Sequence, residues 1–210
     1  MKGISQALVL AAGFFLLVPL ATAGEGRPIK KSPLDHVILY ESVISKDAPI
    51  RIREFPAESA DLGTGANPDK PKYYALAREM QEKAPKLTRD AVIARLQEQG
   101  FHDVAAVEGD TPIPDDALII EGEFTKLDPG SQGQRYGVGF GSGKSQVCAS
   151  GRVVRAAQGE LLMEFDHCRI GSGGLFGGNS EGLMEKDSGG TGAHLAEFMG
   201  KWAEGKYARE

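Results

Sequence analysis

Two long segments of alternating side chains, joined by one short turn, constrain the fold of this chain more than any other feature. Residues 145–156 and 160–170 alternate apolar and polar positions as half-buried strands do. Between them, 157–159 reads Ala-Gln-Gly, which suits a three-residue turn with its glycine in the left-handed conformation. We therefore predict an antiparallel hairpin in which Ala156 opposes Glu160, and every further pair follows from that one.

The predicted register sorts the side chains of the hairpin onto two different faces. One face is polar and charge-matched, and the other is apolar, as a sheet with one solvated face requires. The polar face pairs Arg152 with Glu164, Ser150 with Asp166 and Cys148 with Cys168, and the apolar face pairs Val153 with Met163 and Gly151 with Phe165.

The two cysteines meet in this register. Cys148 and Cys168 are the only cysteines of the chain, and directly opposite residues of an antiparallel pair have Cα atoms about 4.5 to 5.5 Å apart, which a disulfide accepts. We expect a disulfide between them if the chain reaches an oxidising compartment. The alternative is a pair of free thiols in a slipped register, since turn type shifts pairing.

The amino terminus has the pattern of a secretory signal. Lys2 supplies a positive charge, residues 7–20 are almost wholly apolar, and 21–23 reads Ala-Thr-Ala, as a cleavage site does. We predict a signal peptide over residues 1–23 and a tether over 24–34. With no cysteine near the cleavage site to take a lipid, we expect a periplasmic or secreted protein without a lipid anchor and without a transmembrane segment after cleavage.

The remaining pattern predicts one α/β domain over residues 35–205, with a mainly antiparallel mixed sheet and helices packed on one face. Strands are expected at 36–45, 50–55, 101–107 and 117–127 in addition to the hairpin. A helix over 72–84 is expected to end at Pro85, a second is capped by Thr88 and stopped by Gly100, and a last one begins near Ala193.

Two glycine-rich loops are expected to leave the same end of the hairpin, because Ser145 and Ile170 lie opposite each other there. The segment 128–144 holds six glycines and 171–192 holds nine. One interpretation is two floppy surface loops. The other is an adaptable apolar contact surface for a protein partner or for self-association, whose residues would be Arg135, Tyr136, Phe140, Lys144, Leu175 and Phe176.

The end of the first loop resembles a phosphate-binding loop without meeting its requirements. Residues 136–147 read YGVGFGSGKSQV, but the spacing of a P-loop puts Val138 where its first glycine belongs. That device also needs a helix after the loop, and the residues after Lys144 predict a strand. We therefore expect no nucleotide and no other cofactor.

Catalytic and metal sites find little support in the sequence. Neighbouring strand residues point to opposite faces, so His167 cannot act as a base for Cys168. The other histidines, at 36, 102 and 194, lack ligand spacing, so we predict no metal site, and the net charge of −5 argues against nucleic acid. We predict a non-enzymatic module; the alternative is a hydrolase or transferase whose site is built from Asp128, Arg135, Tyr136 and Lys144.

One run of residues resembles a known family. The sequence ALIIEGEFTKLDPGSQGQRYGVGFGSGKSQVCASGRVV, followed by GELLMEF and GGLFGG, is similar to a bacterial family of domains of unknown function numbered 4410 over roughly residues 35–203. The resemblance implies an exported cell-envelope protein of unassigned activity, although the lipidation cysteine of many members is missing. More distantly, the element order is similar to the amino-terminal domain of the translocation protein TolB and to the curli secretion lipoprotein, which are binding and assembly modules.

Overall fold

The structure is a computed structural model that describes residues 25–63, 69, 71–109, 111–130, 144–171 and 180–208. The predicted signal peptide over 1–23 lies outside the described residues, as do five of the predicted contact residues, namely Arg135, Tyr136, Phe140, Leu175 and Phe176. What the sequence predicts for these positions stays a prediction.

Within the described residues the chain forms a seven-stranded mixed sheet and two long helices, which confirms the predicted α/β class. The sheet order is β1-β2-β7-β6-β5-β3-β4; β3 runs parallel to both β4 and β5, and the remaining pairs are antiparallel. In chain order the elements are β1 Arg27–Pro28, β2 His36–Leu39, β3 Ile50–Ile52, α1 Pro71–Glu98, β4 Val104–Ala106, β5 Leu118–Asp128, β6 Gln146–Arg155, β7 Glu160–Ile170 and α2 Ser180–Ala203.

The hairpin of β6 and β7 has the predicted pairs but a different turn. The predicted pairs from Val153–Met163 to Cys148–Cys168 are all present, and Gly159 has a φ of 61°. The pairing of Ala156 with Glu160 is wrong, because Arg155 takes that place and the register shifts between Val153 and Val154. The turn is therefore one residue longer than predicted. The register shift compensates for this extra residue, so the rest of the register is unaffected.

The segment expected to be a tether, residues 24–34, contributes to the sheet. Arg27 and Pro28 pair with the far side of β2 as a short edge strand. Ile29 and Leu34 are buried, with 5% and 3% of their surface exposed. Burial of these two side chains explains why the chain follows the sheet before β2 begins.

The helix α1 is continuous, so the predictions of a stop at Pro85 and a new cap at Thr88 are wrong. Pro85 lies buried inside the helix, at a cost of about 3 kcal/mol for the lost hydrogen bond and the ring clash. Buried residues at helical spacing on both sides of Pro85 offset that cost. Thr88 does not cap a helix; its Oγ1 donates to the carbonyl of Ser188 in α2 at 2.9 Å.

The helix α2 begins at Ser180 rather than near Ala193, so the second glycine-rich loop is shorter than predicted. One glycine of α2, Gly192, has a role in packing. A Cβ at Gly192 would lie 2.3 Å from the carbonyl oxygen of Thr88, so only glycine lets α2 approach α1 this closely. Close packing against α1 stabilises a helix that the glycine content alone disfavours.

Both helices pack on the apolar face of the sheet, α1 against β4 and β5 and α2 against β6 and β7.

Gly122 and Gly151 are paired across β5 and β6. A Cβ at Gly151 would lie 2.6 Å from the ring of Phe165, and one at Gly122 would lie 2.9 Å from Phe55. This glycine pair therefore lets two buried aromatic rings lie close to the backbone of the sheet. In the described part of the chain, no helix is both long and apolar enough to cross a membrane.

Candidate functional site

Three strand ends meet at one edge of the sheet, which we call the loop end. Asp128 closes β5 opposite Gln146, the first residue of β6, and Ile170 closes β7 on the other side of Gln146. The N–H of Gly171 donates to the carbonyl of Ser145 at 2.9 Å. The predicted side-by-side exit of the two glycine-rich loops is therefore confirmed for their described ends.

On the outer face of the sheet, the loop end carries a disulfide and an exposed apolar side chain. Cys148 and Cys168 are bonded, with Cα atoms 4.1 Å apart, as predicted. Ile170 follows on the same face and is 57% exposed, more than any other large hydrophobic residue in the described chain. The two strands are thus covalently joined next to an apolar residue that faces solvent.

On the inner face, the same end carries polar residues where the rest of the strand is apolar. Met163 and Phe165 are buried in the core, but the next inward positions of β7 are His167 and Arg169. A buried polar group needs partners, because its lost hydration is otherwise uncompensated. Those partners come from the segment before β2 and from α2.

A line of hydrogen bonds connects Asp35 to Arg169 through two histidines. The Oδ2 of Asp35 lies 3.0 Å from His167 Nδ1, His167 Nε2 lies 3.0 Å from His194 Nδ1, and His194 Nε2 lies 3.1 Å from Arg169 Nη1. With both rings neutral, one arrangement places one proton in each bond: Arg169 donates to His194, His194 to His167, and His167 to Asp35. We call Asp35, His167, His194, Arg169 and Asp187 the His–Arg cluster.

The far end of the His–Arg cluster is the carboxylate of Asp187. Its Oδ1 accepts from Arg169 Nε at 3.2 Å, while its Oδ2 is buried and has no hydrogen-bond partner. The buried Oγ of Ser145 is equally without a partner. Both oxygens surround Gly171, where a Cβ would lie 2.1 Å from Ser145 Oγ and 3.2 Å from Asp187 Oδ2. A side chain at this point, where the second loop leaves β7, would require Ser145 Oγ to move.

Burial favours the neutral form of both histidines. Desolvation is the main cause that lowers the pKa of His167, and the neighbouring His194 lowers it further, while the carboxylate of Asp35 acts in the opposite direction. Desolvation also lowers the pKa of His194, followed by the charge of Arg169. Protonation of either ring would place an added positive charge beside an arginine in a partly dry environment.

The two described residues of the alternative enzyme site do not converge on the cluster. Lys144 is exposed at the base of the first loop, and β6 begins at Gln146, so no helix follows the GSGK sequence. Asp128 is half-buried, and its Oδ1 accepts from the N–H of Gly130 at 2.7 Å. Desolvation raises the pKa of Asp128. Asp128 thus caps a turn at the end of β5.

The outer face of the sheet has a shallow cleft of about 700 Å³, and polar residues of β2, β5, β6 and β7 are part of its lining. Glu121 lies at its centre between two arginines: Arg53 Nη1 is 2.7 Å away and Arg152 Nη2 is 2.6 Å away. These charges are paired across strands, as on the solvated face of an ordinary sheet. We assign no function to the cleft.

The His–Arg cluster was not predicted from the sequence because its members are far apart in the chain. Asp35, His167 and His194 have no ligand spacing and no common motif. One signal was present: in the predicted register, His167 and Arg169 fall on the apolar face of the hairpin. Inward-facing polar residues at the end of a strand indicate a buried network or a site.

Comparison with known families and structures finds a match at the level of a domain family. Residues 50–173 match the model described as Domain of unknown function (DUF4410), and no curated protein matches the sequence. The PelC dodecamer from Paraburkholderia phytofirmans is similar with a TM-score of 0.41 and 10% identity, over 81% of this chain and 97% of that chain. A protein of the DUF330 family from Xanthomonas campestris has a TM-score of 0.40 and 10% identity, over 76% and 89%. Neither likeness bears on function.

Proposed function

The chain belongs to the DUF4410 family of domains of unknown function, and from that premise we propose that it is an exported, non-enzymatic cell-envelope module that binds or assembles with a protein through its loop end. The partner is another envelope protein or a second copy of this chain. The single observation that carries the proposal is the exposed Ile170 on a rigid base from which both glycine-rich loops leave.

The base of the proposed contact surface is held at several points. The disulfide joins β6 to β7 two residues before Ile170, and the N–H of Gly171 donates to Ser145. The His–Arg cluster fastens β7 to α2, where Arg169 bonds Asp187. The second loop therefore begins and ends on fixed chain, which reduces the entropy that binding would have to offset.

Apolar side chains at and near Ile170 are the second observation that supports the proposed contact surface. Ile170 is already exposed, and the two loops that start beside it contain Phe140, Leu175 and Phe176 in glycine-rich sequence. Apolar side chains grouped on a surface mark interaction sites, and aromatic residues are enriched among the anchors of interfaces. The basic Lys144, exposed at the same edge, would add polarity at the rim.

We propose binding rather than catalysis because no nucleophile of the described loop end is hydrogen-bonded to a base. Both ring nitrogens of His167 and His194 take part in the hydrogen-bonded line. The Oγ of Ser145 has no hydrogen-bond partner among the described residues, and both cysteines are in the disulfide. A nucleophile needs a base within hydrogen-bond reach, and these residues form no such pair.

Export is the remaining part of the proposal and rests on two features. The first 23 residues have the pattern of a signal peptide, and the disulfide is of the kind that persists in oxidising compartments. We propose the periplasm or the cell exterior as the location.

The test compares two exposed apolar residues at opposite ends of the sheet. Ile170→Ser alters the loop end, and Val43→Ser alters a residue that is 47% exposed in the segment after β2, toward the hairpin turn. Tagged mature chains would be used to capture partners from envelope extract, with sedimentation to detect self-association. The proposal predicts that Ile170→Ser weakens the complex and Val43→Ser does not, with similar Tm for both. Equal binding by both variants would count against the loop end.

A further inference from the structure

A depression of about 390 Å³ lies over α2, beside the carboxyl-terminal half of α1. The charged and titratable residues in its lining are all basic: Arg95 from α1, Arg169 from β7, and Lys186 and His194 from α2. No acidic residue is part of the described lining, although the whole chain carries a net charge of −5. This clustering of one sign of charge in a concavity favours a ligand of the opposite sign.

The floor of the depression is bare helix. An added Cβ at Gly189 would meet no atom within 4 Å, so the space above this residue is open. At Gly190 an added Cβ would lie 2.5 Å from Arg169 Nε, so the absence of a side chain there lets the guanidinium lie across the helix. Gly189 thus gives a ligand close access to the helix surface, and Gly190 lets Arg169 lie next to that open space.

Arg169 is held in position for such a ligand. Its Nε donates to Asp187 at 3.2 Å and its Nη1 to His194 Nε2 at 3.1 Å, while the side chain stays 23% exposed. A fixed, planar guanidinium binds an oxyanion in a defined geometry and loses little entropy in doing so. Asp187 is only 7% exposed and lies behind the arginine, away from solvent.

Lys186 and Arg95 supply mobile positive charge at the walls. No ion pair is found for Lys186 among the described residues, and it is exposed one turn of α2 before Gly190. Arg95 pairs with Glu98 at 2.7 Å but keeps 57% of its side chain exposed. The arrangement of one fixed arginine and two adjustable cations suits a small group with several anionic oxygens.

We propose that this depression binds a phosphate group, carried either by a soluble phosphate ester or by a lipid headgroup. The three cations contact the oxygens, and Gly189 leaves room for the group against α2. This inference is independent of the loop-end contact surface and stands or fails separately from it.

The pKa of His194 is the quantity that would report phosphate binding. The charge of Arg169 is one of the causes that lower the pKa of His194, after desolvation. A phosphate bound between Arg169 and Lys186 would offset that charge, so the pKa of His194 would rise. Titration of the His194 ring by NMR in the mature chain, with and without inorganic phosphate at constant ionic strength, measures this change directly.

Four variants distinguish a specific phosphate site from nonspecific electrostatic attraction. Lys186→Gln is expected to weaken inorganic phosphate binding by about threefold, as loss of one partly exposed charge contact does. Gly189→Glu fills the floor with a carboxylate and abolishes binding, whereas Gly189→Gln, matched in size, retains part of it. Lys72→Gln removes one charge at the start of α1, about 30 Å away by helical rise, and leaves binding unchanged.

The source of the phosphate is tested with vesicles. Cosedimentation with phosphatidylglycerol but not phosphatidylcholine vesicles, reversed by inorganic phosphate, would assign the site to a lipid headgroup. Saturable binding of inorganic phosphate without vesicle binding would assign it to a soluble ester. No saturable response of His194 to millimolar phosphate, or equal weakening by Lys72→Gln and Lys186→Gln, would overturn the proposal.

Discussion

His167 Nε2 and His194 Nδ1 lie 3.0 Å apart and connect β7 to α2 at the end of the sheet where both glycine-rich loops leave. The bond requires that one of these two nitrogens be unprotonated. The bond is lost when both facing nitrogens carry a proton, and desolvation disfavours the charged form of each ring, so the stability of the inner side of the loop end should depend on pH.

The first prediction is that the free energy of unfolding falls as the pH is lowered from about 7.5 to about 5.5. In the folded chain burial lowers the pKa of both His167 and His194 from the ordinary histidine value, so the unfolded chain binds more protons as the pH falls through that value. Stability is then complete above about pH 6.5 and decreases below it.

Urea unfolding of the wild type and of the His167→Gln/His194→Gln variant at a series of pH values measures this effect. The slope of stability against pH should be reduced in the variant, whatever its absolute stability. Equal slopes would assign the pH dependence to other groups.

A second prediction contrasts two glycines of α2. Gly192→Ala should destabilise the protein by about 1 to 3 kcal/mol, because its Cβ would lie 2.3 Å from the carbonyl oxygen of Thr88. Gly189→Ala, whose Cβ meets nothing within 4 Å, should stabilise it by up to about 1 kcal/mol through helix propensity. Thermal unfolding of both variants measures the difference, and a stable Gly192→Ala protein would show that α1 and α2 are not packed this closely.

The limits of prediction from sequence are clear in the same two helices. The buried positions of α1 keep their spacing across Pro85, but a proline normally ends a helix, and only the packing against α2 shows why this one does not. Gly192 lies in a helix because of its contact with Thr88, a residue about a hundred positions away. Contacts of this range leave no local pattern in the sequence.

The hairpin could be predicted because its determinants are local. Alternation along each strand and the glycine of the turn led to the pairing of Cys148 with Cys168, and this pairing is correct because the bulge beside Val153 compensates for a turn one residue longer than predicted. The His–Arg cluster was missed, since it assembles Asp35, β7 and α2 only after folding. The one indication of the cluster in the sequence was that two polar residues, His167 and Arg169, fall on the inner face of the predicted hairpin.

A third prediction concerns the disulfide. Replacing both cysteines by serine should lower the free energy of unfolding by at most about 3 kcal/mol, the chain-entropy value for a loop of this size, because the hairpin turn already restrains the two strands. Cys148 and Cys168 are separated by 20 residues. Urea unfolding of the oxidised wild type and the double variant gives the value. An unchanged midpoint would mean that the bond contributes no stability.

The most direct measurement of the central claim is site-specific photo-crosslinking in intact cells. A photoreactive amino acid at Lys144 places the probe on the loop end, and one at Gln158 places it on the hairpin turn at the other end of β6 and β7; both side chains are exposed. The account predicts a discrete crosslinked product from position 144, with a defined partner or a second copy of the chain, and none from 158. No product from 144, or the same product from both positions, would contradict a contact surface at the loop end.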